Sequence, residues 1–194
     1  MTICLEEICK SYDGKPVFDH LNSNLEWGRC YLITGPGGCG KSTFLKIFMG
    51  TVKPDSGRVR RMGDYKYPTL QSAYVSQHGE QLNPKKNALW NVCKAHRKVA
   101  KGRAQEELEL FLTPEEIKAP VGSLTEVQKR FVEIVRACVM PADFLVFDEP
   151  FFGMSPEEKK KALDYILEIR GNRPLLVAAE EATDLDFAKR IILG

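Results

Sequence analysis

The chain has 194 residues, 43% of them hydrophobic and 28% charged, with a formal net charge of +2. That length suits a single domain with a sizeable core and room for an inserted subdomain, and so small a basic excess argues against a nucleic-acid partner. No segment is long and apolar enough to cross a bilayer.

The six cysteines (Cys4, Cys9, Cys30, Cys39, Cys93, Cys138) form no Cys-x-x-Cys pair and have no His-x-x-x-His companion, so no metal or redox motif is expected. Residues 1–7 lack the basic region and apolar run of a signal peptide, and a cytosolic chain with reduced thiols is expected.

Short β-like runs recur at residues 3–5, 31–34, 73–76, 144–147, 175–178 and 191–193. Several are continuous apolar runs, as expected of strands covered on both faces. Helix-period segments lie between them, which predicts an α/β sheet with crossovers.

After the first run comes Ser11-Tyr12-Asp13-Gly14. The aromatic Tyr12 can stack on a purine or serve as a core residue. The run at 31–34 then leads into Gly35-Pro36-Gly37-Gly38-Cys39-Gly40-Lys41-Ser42, followed by the helix-period stretch that begins at Thr43. Strand, glycine loop and helix in that order make a phosphate-binding loop. Its glycines let bare N–H groups face phosphate oxygens, and the helix N-terminus behind adds its dipole. Lys41 is expected at the β- and γ-phosphates and the Ser42 hydroxyl on Mg²⁺. A Mg²⁺-chelated triphosphate is therefore the expected ligand.

The run at 73–76 ends at Gln77, an uncharged amide suited to Mg²⁺ or to an attacking water. Residues 83–121 are polar, helical in pattern and without a strand signal, and with the helix after them they read as an inserted helical subdomain. The basic stretch 94–103 reads as a solvated helix face, the other reading being a contact with lipid headgroups or a partner. Thr125-Glu126-Val127-Gln128 is a capping box opening an amphipathic helix. The apolar run at 144–147 ends in the adjacent carboxylates Asp148 and Glu149. Asp148 is suited to hold Mg²⁺ and Glu149 to polarise a water attacking the γ-phosphate. Ser155-Pro156-Glu157-Glu158 is a second capping box, with proline at the first helical position.

These features together resemble the nucleotide-binding domain of ATP-binding cassette (ABC) proteins over nearly the whole length. The resemblance identifies Tyr12 as the adenine-stacking aromatic, Gly35 to Thr43 as the Walker A loop, Gln77 as the Q-loop glutamine and residues 144–149 as the Walker B strand. Arg136-Ala137 is similar to the pair that closes the signature helix, and the loop wording is closest to ATPases of nitrate, sulfonate and taurine importers. It implies a P-loop NTPase (RecA-like) sheet core with N-terminal antiparallel strands. Residues 1–82 and 139–194 would form that core and 83–138 the helical signature subdomain. Lys41, Gln77 and Glu149 are the implied catalytic residues, and Ser42, Gln77 and Asp148 the implied metal ligands. It further implies a dimer, with itself or with another ABC ATPase. That dimer would sandwich ATP and dock beneath transmembrane permeases, which supply its only membrane contact, on the cytoplasmic face of the cell membrane. No regulatory C-terminal domain is expected beyond Gly194.

The sequence departs from the family in three places. The signature Leu-Ser-Gly-Gly-Gln reads Leu124-Thr125-Glu126-Val127-Gln128. Thr125 and Gln128 remain suited to a partner's ATP, while Val127 puts a branched side chain where bare backbone should approach phosphate. The switch histidine is replaced by Glu180, since His20, His78 and His96 all lie far upstream. Ser155 replaces an acid after Walker B. The expected activity is ATP hydrolysis coupled to transport. The competing expectation is a hydrolysis-impaired subunit paired with a complete ATPase. A small-molecule phosphotransferase fits Asp148, Glu149 and Gln77 less well.

Overall fold

The computed structural model describes residues 2–62, 71–77, 79, 81–180 and 185–194. His78, named above among the histidines upstream of the switch position, lies outside the described residues.

Two sheets form the scaffold. Strands β1 (Thr2–Tyr12), β2 (Lys15–Glu26) and β4 (Ser56–Met62) make an antiparallel sheet in the order β2-β1-β4. Asp13-Gly14 turns the first hairpin, with φ of 49° and 76°. Positive φ at both central residues gives a turn whose twist matches the strands, which is why Asp-Gly sits there. The second sheet has the order β5-β6-β7-β3-β8 and is parallel throughout. Its strands are β3 (Cys30–Thr34), β5 (Ser72–Val75), β6 (Phe144–Asp148), β7 (Leu175–Ala178) and β8 (Lys189–Ile192).

Alternate residues of the parallel strands feed two cores. Tyr31, Ile33, Phe144, Val146 and Leu176 pack with Phe44 and Phe48 of helix α1 (Lys41–Met49) and with Ile3, Leu5 and Ile8 of β1. Leu32, Val75, Leu145, Phe147 and Val177 pack on the other side, against α5 (Glu126–Val139) and α6 (Pro156–Ile169). Both capping boxes form. Thr125 caps α5 reciprocally with Gln128, and Ser155 caps α6 with Glu158.

Three short helices, α2 (Ala88–Cys93), α3 (Lys101–Glu109) and α4 (Pro114–Lys118), precede α5. Buried Asn91 ties this segment down. Its Oδ1 accepts from the Asn83 N–H at 2.7 Å, and its Nδ2 reaches the carbonyls of Asn83, Lys86 and Asn87 at 3.0–3.3 Å. The basic stretch 94–103 is corrected here, because residues 95–100 are not helical. The Lys98 N–H donates to His96 Nδ1 and the Val99 N–H to the His96 carbonyl, a local turn that competes with helix. The last strand also shifts from 191–193 to Lys189–Ile192.

Candidate functional site

In the order β6-β7-β3, three neighbouring parallel strands deliver their C-terminal ends to one edge of the sheet, where open α/β sheets bind ligands. From β3 comes the glycine loop, from β6 the pair Asp148-Glu149, and from beyond β7 comes Glu180.

Two glycines of the loop occupy positions where no side chain fits. Gly35 has φ 154°, and a Cβ there would lie 2.3 Å from the Leu193 carbonyl oxygen. At Gly40, with φ 103°, a Cβ would lie 2.4 Å from Val17 Cγ1 of β2. The antiparallel sheet is therefore packed directly behind the loop. Gly40 caps α1 without a side-chain hydrogen bond, and α1 has no acid in its first turn. The positive end of that helix is left open to an anion.

Beside it lies a hollow of about 270 Å³ lined by Gly38, Gly40, Lys41, Ser42, Thr43, Gln77, Asp148, Glu149 and Glu180. Lys41 is buried at 8% exposure. Its Nζ donates to the Gly35 carbonyl at 2.9 Å and to that of Pro36 at 3.4 Å, and lies 3.8 Å from both Glu149 and Glu180. One ammonium thus faces the carboxylates of Asp148, Glu149 and Glu180, a charge balance that favours a cation.

Asp148 is 2% exposed. Its Oδ2 accepts from the Tyr74 hydroxyl at 3.2 Å, while Oδ1 has no hydrogen-bond partner among the described residues. A buried carboxylate oxygen without a partner is costly, and a bound cation relieves it. Together with the hydroxyl of Ser42 and the amide of Gln77, this is a hard oxygen donor set that fits Mg²⁺. Glu149 holds a left-handed backbone, φ 48°, fixed by its N–H to the Ala178 carbonyl at 2.9 Å. Burial pushes its carboxyl above the usual carboxylate range. Lys41 opposes that, the charges of Glu180 and Asp148 reinforce it, and the Glu180 N–H donates to it.

Gln77 is held from the side by a residue that no sequence motif marks. Arg130 of α5 donates to the carbonyls of Ser76 at 2.6 Å and Gln77 at 2.7 Å. Its partner is Glu133 at 3.0 Å, whose carboxyl burial pushes up to about 7.

Tyr12, Thr125 and Gln128 do not line this hollow. Tyr12 is 45% exposed at the end of β1, with Lys10 Nζ 5.1 Å from its ring centroid. Gln128 donates to Glu116 and closes the capping box with Thr125, so its side chain is already engaged. Val127 is partly buried against the core. The remaining loop residues, Pro36, Gly37 and Cys39, border the site. A Cβ on Gly37 would stand 3.0 Å from Glu180 Oε1, and the Cys39 N–H closes the turn onto the Pro36 carbonyl at 3.2 Å.

A family model described as ABC transporter matches residues 18–152. Among curated relatives, the chain is 32% identical over 171 residues to a zinc import ATP-binding protein of Vibrio parahaemolyticus, covering 87% of this chain and 62% of that protein. It is 30% identical over 200 residues to a Nod factor export ATP-binding protein of Burkholderia thailandensis, covering 94% of this chain and 65% of that one. It thus spans less than two thirds of the length of either. A dimeric ATP-binding cassette solved in a post-hydrolysis state with ADP and Pi superposes with a TM-score of 0.83 at 21% identity, covering 98% of this chain and 94% of the other. That likeness concerns the fold.

Proposed function

The chain belongs to the ABC transporter family, whose ATP-binding domain it forms, and we propose that it hydrolyses ATP to drive a small solute through membrane permeases. The observation that carries this reading is the hollow in which Lys41, the unpartnered Asp148 oxygen and Glu149 meet at the open end of α1.

At about 270 Å³ the hollow is smaller than the roughly 300–1,000 Å³ of typical small-molecule sites, so it suits a phosphate chain and leaves the nucleoside outside. Tyr12, on the exposed end of β1, is our candidate for the base. The loop N–H groups and Lys41 take up phosphate charge. Ser42, Gln77 and Asp148 would hold Mg²⁺, which neutralises charge on the phosphate oxygens when bound. Glu149 then accepts a proton from a water that attacks the γ-phosphorus in line as the bond to the β-phosphate oxygen breaks. Among the described residues a single cation, Lys41, faces three acids, so the triphosphate is expected to bind only with a divalent cation.

Glu149→Gln is expected to reduce phosphate release by at least about 10²-fold with ATP binding retained. Because the ionised carboxylate is the base and its pKa is raised, wild-type turnover should climb with pH through a point above the usual carboxylate range. A brisk rate in the variant would remove Glu149 as the base.

Thr125 and Gln128 are proposed to face the ATP of a second protomer, the same chain or another ABC ATPase. Residues 83–138 are proposed as the subdomain that presents them. Permeases are the proposed membrane partners, with the chain peripheral on the cytoplasmic face. Their recovery with the chain from gently solubilised membranes is the expected result, and a chain recovered alone would count against transport. The relatives named above carry zinc and Nod factor in their names, so they lend no support to a nitrate, sulfonate or taurine cargo. The proximity of Glu180 to Lys41 favours a second reading, a slow subunit that relies on a complete partner.

A further inference from the structure

The first hairpin carries a cluster that the spacing of cysteines and histidines along the sequence does not reveal. In the pairing of β1 with β2, Ile8 stands opposite Leu21 and Lys10 opposite Phe18. The single residue Cys9 therefore faces two, Asp19 and His20. This is a β-bulge, which places two side chains against one and re-aims them. His20 takes φ 51° to do so, and its N–H donates to Cys9 Sγ at 3.4 Å. Asn22 secures the bulge. Its Nδ2 donates to the His20 carbonyl at 2.9 Å and its Oδ1 accepts the N–H of Glu7, itself at φ 52°.

The donor atoms converge. His20 Nδ1 lies 2.7 Å from Asp19 Oδ1, Cys9 Sγ lies 3.9 Å from the same oxygen, and one ligand atom from each residue falls within 4.8 Å of the others. In a tetrahedral zinc site with bonds of about 2.0–2.3 Å, neighbouring donors stand roughly 3.3–3.8 Å apart. Small side-chain rotations, on side chains that are 66% and 83% exposed for His20 and Asp19, are enough to reach that spacing. The geometry points to a site for a borderline-soft divalent cation, Zn²⁺ in chemical class, held by Cys9, Asp19 and His20 on the outer hairpin. Sulfur, imidazole nitrogen and carboxylate oxygen are the donors Zn²⁺ takes, and Mg²⁺ does not take the sulfur. Binding exchanges the thiol proton to solvent. Three protein ligands leave the fourth position to water or to a side chain of another molecule.

The test is a titration of the reduced, metal-free full chain with Co²⁺. One equivalent is expected to develop a thiolate-to-cobalt charge-transfer band, which Zn²⁺ then bleaches. Cys9→Ser should abolish the band, while Cys93→Ser should leave it intact. Asp19→Asn and His20→Asn lie at exposed positions, and asparagine tolerates the left-handed backbone at residue 20. Each should weaken cobalt binding at least about tenfold. Absence of the band from the wild-type chain, or its survival in Cys9→Ser or in both exposed variants, would overturn the site. Mg-ATP affinity is expected to be unchanged in these variants, so the result is independent of the phosphate loop.

Discussion

Lys41→Ala is expected to abolish Mg-ATP binding to the full chain, with a loss of at least about a hundredfold in a calorimetric titration. The ammonium is buried, and among the described residues it is the one cation lining a hollow with three carboxylates. Truncating one member of a buried, hydrogen-bonded charge set costs about 2–5 kcal/mol. Here the loss acts twice. The phosphates lose their cation, and Glu149 and Glu180, each 3.8 Å from Nζ, are left to repel whatever anion enters. Circular dichroism of the variant separates loss of the site from loss of the fold. Unchanged affinity in a folded variant would refute the assignment of the loop.

Glu180→Gln is expected to raise ATP affinity about 5- to 30-fold and to leave ADP affinity close to that of the wild type. A γ-phosphate held by Lys41 would stand roughly 4–5 Å from the Glu180 carboxylate, and at an effective dielectric near 20 each pair of unit charges costs roughly 3–4 kcal/mol. Glu180 is 61% exposed, so solvent screening reduces this to about 1–2 kcal/mol. The β-phosphate of ADP would lie deeper along the loop and feel less of it. Parallel titrations with both nucleotides read the ratio. An equal change for ATP and ADP would mean that Glu180 acts on the loop as a whole and does not discriminate the terminal phosphate.

Sequence made the edge that carries the glycine loop and the paired acids legible because each part was local. Gly35 to Thr43 follows one strand, and Asp148-Glu149 ends another. The parallel strands appear as apolar runs because both faces are covered. The antiparallel sheet was expected from the family resemblance, but the residue pattern alone left it largely hidden. Only residues 3–5 signalled it, since bulges between Leu5 and Ile8 and between Ile8 and Lys10 break the two-residue period of β1. In β8, Lys189 and Arg190 face solvent on an edge strand, which hid its start. Arg130 and Tyr74 carry no motif. They matter because packing brings them to carbonyls and a carboxylate far away in sequence. The helix expected across 94–103 failed on a different ground, the side chain of His96 taking up a backbone N–H.

The guanidinium of Arg130 grips two consecutive carbonyls where β5 gives way to Gln77. Because its stem is rooted in α5, that helix cannot tilt beyond the stretch of two hydrogen bonds without dragging the polypeptide at the rim of the phosphate cavity. Thr125 stands at the head of the same rod, so the end proposed above to face a neighbouring subunit and the edge of the chain's own hollow are mechanically one piece.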